Sequence, residues 1–74
     1  MKEILLGRIY KHYKGGRYLV LNLSEESTND RIGEQGVIYV SLTYGKIKHR
    51  KLAEFIEDVG WPDGKRRPRF VLED

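Results

Sequence analysis

Cysteine is absent from this 74-residue chain, which excludes disulfides, thiolate–metal staples and a thiolate nucleophile. Proline occurs only twice. Long apolar runs are missing as well. The N-terminal run Ile4-Leu5-Leu6 falls well short of the ~7–15 apolar residues of a signal peptide and the ~20 of a membrane helix. With no membrane segment and no cysteine, a cytoplasmic location is expected. The chain also lacks a phosphate-cradling loop, because Gly15-Gly16 is not followed by a GKS or GKT triplet. It lacks a nucleophile elbow and a paired-carboxylate signature. His12 and His49 are its only histidines, and neither lies in a ligand-spaced motif. No catalytic residue, metal or cofactor is therefore expected, and the reading is of a protein that is not an enzyme.

What remains is one domain, residues 1–74, with a small core and a thin stability margin. A monomer or weak homodimer is expected. The net charge of +3 is mild, but its distribution is segregated. Residues 1–20 carry a net +4, residues 21–36 a net −3, residues 37–51 a net +4, residues 52–64 a net −4 and residues 65–70 a net +4. If the basic blocks converge in space, one face becomes positive.

The pattern is that of a β protein. Gly7 to Tyr13 alternates imperfectly and is rich in β-branched and aromatic residues, which predicts a strand. Lys14-Gly15-Gly16-Arg17 predicts a tight hairpin turn, since glycine adopts positive φ without steric penalty. Tyr18 to Leu23 is the return strand, with Leu19, Leu21 and Leu23 on the expected inner side. Ser24 to Gly36 is polar and acidic, with Ile32 its one large apolar residue, and reads as a mobile loop. Val37 to Thr43 is a central strand, Tyr44-Gly45-Lys46 a turn and Ile47 to His49 a short strand. Leu52, Phe55, Ile56 and Val59 follow at i, i+3, i+4 and i+7, which predicts a helix across Arg50 to Val59 ending at Gly60. Trp61 to Arg67 is a turn-rich excursion, and Phe70 to Leu72 a closing strand. Mainly β, about five short strands and one short helix before the last strand describe a small, partly closed barrel or roll.

Several of these stretches resemble a known family. Gly7-x-x-Tyr10-x-His12-Tyr13-Lys14-Gly15-Gly16-x-Tyr18-x-Val20 is similar to the opening of a small bacterial family catalogued as domain of unknown function 1653. Val37-x-Tyr39-x-x-Leu42, Arg50-x-Leu52-x-x-Phe55 and Arg67-Pro68-Arg69-Phe70 follow in the family's order. The family pattern places a tryptophan two residues before the arginine and a proline after it, where this chain has Lys48 and Lys51. The resemblance implies an SH3-like barrel or roll and implies no enzymatic activity.

The candidate ligand-binding surface comprises Tyr10, His12, Tyr13, Lys14, Arg17 and Tyr18, with Lys48 and Arg50. Tyrosine offers a rigid ring and a hydroxyl at low entropic cost, which suits peptide recognition. The first expectation is a binding module for a protein or peptide. The second is nucleic acid, stacked on the same rings, with phosphates met by Lys46, Lys48, Arg50, Lys51, Lys65, Arg66, Arg67 and Arg69. Against both stands a plain cross-strand pairing of Tyr10 with Tyr18. Trp61 is expected to cap the core beside Phe55 and Phe70.

Overall fold

Gly15 and Gly16 take φ of 97° and 84°, and they reverse the chain as the sequence predicts. The Gly15 N–H donates to the His12 carbonyl at 2.9 Å, and the His12 N–H donates to the Gly16 carbonyl at 3.1 Å. The flanking runs pair antiparallel, Tyr10 opposite Tyr18.

The structure, a computed structural model, describes residues 3–27 and 33–73. Its elements are β1 (Ile9–His12), β2 (Arg17–Glu25), β3 (Gln35–Ser41), β4 (Ile47–Lys51), α1 (Leu52–Phe55), β5 (Asp58–Gly60), β6 (Arg66–Pro68) and β7 (Phe70–Leu72). An antiparallel five-stranded sheet runs β4-β3-β2-β1-β7, and β5 and β6 form a separate two-stranded ribbon. The fold is mainly β, with one short helix before the last strands. β4 and β7 end the larger sheet without pairing, so it is not closed into a barrel. No helix among the described residues is long and apolar enough to cross a membrane.

One face of the sheet holds the core: Tyr10, Val20, Val37, Tyr39 and Phe70, with Phe55 of α1 laid over them. Ile4, Tyr18, Leu52, Ile56 and Leu72 pack around this set. The register fixes which face each strand buries. Tyr18 and Val20 stand opposite Ser41 and Tyr39, so they point inward and Leu19 points outward. Leu19, expected to face the core, is thus on the outer face. At Leu21 the β2–β3 register shifts between Val20 and Asn22. This bulge inserts one residue and inverts the alternation. Leu23 then shares a face with Val37 but stays exposed at the sheet margin.

Three other expectations change. The helix spans only Leu52–Phe55, because Ile56 leaves helical geometry and Val59 pairs with Arg67 in the ribbon. Lys51 supplies no side-chain cap, and a short uncapped helix has little intrinsic stability. Its packing on β3 through Phe55 keeps it in place. Trp61 lies at the ribbon turn, outside the core cluster, where its indole N–H donates to the Pro68 carbonyl at 3.0 Å. The acidic stretch expected as loop contributes strand at both ends, with Ser24 opposite Gly36 and Glu25 opposite Gln35. Ile32 and the expected mobility of that loop's centre lie outside the described residues.

Candidate functional site

The inner face continues past the core toward the hairpin end of β1, and there it becomes polar and basic. His12 stands opposite Phe70, Lys48 opposite Tyr39, and Arg50 opposite Val37. Strand alternation therefore sends His12, Tyr18, Tyr39, Lys48, Arg50 and Phe70 to one side. The rings meet edge to face: His12 and Phe70 centroids are 4.8 Å apart, Tyr18 and Tyr39 5.3 Å, Tyr18 and Phe70 5.6 Å. Tyr13 tilts against His12 at 4.7 Å.

Cations surround this cluster. The Arg50 guanidinium sits 5.8 Å from the Phe70 ring centre, and its Nε reaches the Tyr39 hydroxyl at 3.5 Å. Lys14 and Arg69 approach the Tyr13 ring at 5.7 and 5.9 Å. Arg69 is held by its Nε–H to the Glu54 carbonyl at 3.0 Å and by the Glu57 carboxylate at 2.8 Å. Arg50 has a looser ion pair, 4.0 Å from Glu54.

His12 reports the resulting field. Partial burial, then Arg50, Arg69, Lys14 and Lys48, push its pKa from 6.5 down to about 4. At neutral pH the ring is uncharged. The Lys14 backbone N–H donates to Nδ1 at 3.2 Å, so Nδ1 is the acceptor and the remaining proton sits on Nε2. The site thus offers a neutral N–H donor inside a ring of positive charge. That arrangement attracts a carboxylate and repels a cation.

Of the residues expected from sequence, His12, Tyr13, Lys14, Tyr18, Lys48 and Arg50 come together here. Tyr10 and Arg17 do not. Tyr10 is buried in the core, and its hydroxyl accepts the Leu5 N–H at 3.0 Å, tying the N-terminal segment to the sheet. Arg17 alternates to the outer face and grips the Glu73 carboxylate at 2.8 and 2.9 Å. The basic blocks converge only in part. Arg66 and Arg67 belong to the ribbon, where Arg66 donates to the Asp58 carbonyl and Arg67 pairs with Asp63 at 2.6 Å. His49, opposite Ile38, faces away from His12. Among the described residues no three metal-ligating side chains gather.

Tyr39 and Phe70 enter the site without having been expected there. Their placement depends on β1 pairing with β7 and on β2 pairing with β3. Neither leaves a local mark in the sequence.

The chain matches, over residues 8–72, a family described as "Protein of unknown function (DUF1653)". A crystal structure of a DUF1653 protein from Bordetella bronchiseptica is similar, with 32% identity and a TM-score of 0.70. The match covers 90% of this chain and 85% of that one. No curated protein matches the chain.

Proposed function

The chain belongs to the DUF1653 family, and from that premise we propose that it is a non-enzymatic binding module for an acidic, extended segment of another protein. The observation that carries this reading is His12, kept neutral among Lys14, Lys48, Arg50 and Arg69 and packed beside the half-buried rings of Tyr13 and Tyr18. Lys48 occupies the position where the family pattern has tryptophan, which makes this face more basic. Absence of cysteine fits a cytoplasmic setting.

Peptide is preferred over nucleic acid because the ring faces are engaged. Phe70 stacks on Phe55 with its plane 2° from parallel, Tyr39 meets Tyr18 and Phe70 edge to face, and Tyr13 has cations beside its ring. Base stacking needs a free aromatic platform. The ribbon arginines, already engaged with Asp58 and Asp63, add no continuous track for phosphates.

Fluorescence anisotropy at low ionic strength tests the assignment with two labelled probes, a glutamate-rich peptide and a single-stranded oligonucleotide. The peptide is expected to bind, and Arg50→Glu with Lys48→Glu to abolish binding while the fold persists. Tighter binding of the oligonucleotide, with steep salt dependence, replaces this reading with nucleic acid.

A further inference from the structure

We infer that the acidic segment docks as an added strand on the free edge of β4, with acidic and apolar residues in alternation. The inference rests on the reading above and specifies how that site is used.

Backbone geometry comes first. The Ser41 N–H donates to the Lys46 carbonyl at 3.0 Å, which makes this a hydrogen-bonded pair. Such pairs alternate along an antiparallel ladder. Lys48 opposite Tyr39 and Arg50 opposite Val37 therefore bond inward to β3. Ile47 and His49 direct their N–H and C=O groups away from β3, and no described strand lies beyond β4. An extended chain can complete that ladder.

Side chains then select the occupant. Lys48 and Arg50 project onto the aromatic–basic face, two residues apart. An added strand places its residues i and i+2 beside them on that face, where carboxylates pair with both cations. On the other face, Ile9, Leu19, Val40 and Ile47 form an apolar row across four strands. The row ends in Ile47, which is 69% exposed at the open edge. The intervening residues of the added strand continue this row, so they are apolar. Pairing with a second copy's β4 sets its cations against these and is disfavoured. The charge of β4 rejects its own kind and accepts an acidic strand.

The test uses a short capped peptide alternating glutamate with valine, titrated into the intact protein and followed by anisotropy. One control has the same composition with its glutamates contiguous. Two more carry N-methyl groups on the valines or on the glutamates. The valine N–H groups face Ile47 and His49 in the docked strand, whereas the glutamate N–H groups face solvent. The contiguous peptide and the N-methylvaline peptide are expected to bind about tenfold more weakly or worse, and the N-methylglutamate peptide within about threefold of the parent. His49→Pro removes an outward N–H without breaking a β3–β4 bond and is expected to cause a similar loss. If the N-methylvaline peptide binds as well as its parent, the edge-docking inference is wrong and the acidic-segment reading stands. If neither acidic isomer binds, both are wrong. If protein dimers form through β4 and the peptide fails to dissociate them, a second copy is the occupant and the inference is overturned.

Discussion

His12 of β1 and Phe70 of β7 face one another as register partners, with their ring planes inclined at 62°. Phe70 also stacks on Phe55 of α1 at a centroid distance of 4.1 Å. One ring therefore belongs to both the core and the candidate site. The burial that lowers the His12 pKa depends on packing against the same side chain that anchors the helix.

Phe70→Leu is expected to lower stability by about 1–2 kcal/mol, since it keeps most of the apolar volume but loses the aromatic contacts. Denaturant midpoints measure this. The same substitution opens the space beside His12, so its pKa should rise toward 6.5, read from imidazole NMR shifts across pH. A purely structural role for Phe70 leaves the His12 titration where it was.

Stability should fall as pH falls from about 6.5 to 4. The folded state holds the His12 pKa at about 4 while the unfolded chain titrates near 6.5. Between these values the unfolded chain binds more protons, so acidification favours it. The stabilisation is fully present above pH 6.5 and is lost progressively toward pH 4. Because His12 is only partly buried, solvent screening limits the effect to on the order of 1–2 kcal/mol. Urea midpoints of the native chain and His12→Gln, measured at both ends of this window, should converge at low pH. Parallel curves would show that His12 carries no such linkage.

The hairpin was legible because Gly15-Gly16 announces a turn in one place, and the strands beside it inherit their pairing. The cation and aromatic content of the site was legible for the same reason: His12, Tyr13, Lys14 and Tyr18 are neighbours in sequence. Arg17 and Tyr10 could not be assigned without the face each occupies. The inner face of β2 was hidden because both sides of the strand are apolar at its start, Tyr18 and Val20 on one and Leu19 on the other, and the bulge at Leu21 then moves Leu23 to the face of Val37. Val59 completed a helical stripe by spacing, yet it pairs in the ribbon, a tertiary choice that overrides a four-residue pattern. Phe70 meets His12 across a separation in sequence that no local signal spans.

Gly16→Ala should destabilise the hairpin by about 1–2 kcal/mol, because an L side chain at positive φ is strained. The added Cβ would also lie 3.3 Å from the Tyr18 ring. Thermal unfolding measures the loss. Displaced Tyr18 resonances at the same time would place the strain at the site rather than in the turn alone.

Arg17→Ala separates the two faces of the sheet. The Arg17–Glu73 pair is exposed, so its loss should leave stability nearly unchanged. Binding of a glutamate-rich peptide should be unchanged within twofold or so, apart from the loss of one distant charge. Lys48→Ala should weaken the same binding severalfold. If Arg17→Ala is the more damaging change, the ligand uses the outer face.

Glu54→Gln should tighten binding of acidic peptides. The Glu54 carboxylate sits 4.0 Å from the Arg50 guanidinium, with its own side chain 51% exposed. At that separation it makes a loose ion pair at the protein surface, worth a few tenths of a kcal/mol. A ligand carboxylate that approaches Arg50 must displace Glu54 and also meets its repulsion. Two unit charges at about 4 Å interact by about 1 kcal/mol in water, so removing the charge should strengthen binding about three- to fivefold and leave stability nearly unchanged. Glu57→Gln is the comparison. Arg69 retains its Glu54 carbonyl bond in that variant, so its guanidinium stays tethered and the gain should be smaller. Calorimetric titrations with a glutamate-rich peptide at two ionic strengths discriminate the cases: the Glu54→Gln advantage should shrink at the higher salt, and unchanged or weaker binding would remove Arg50 from the binding surface.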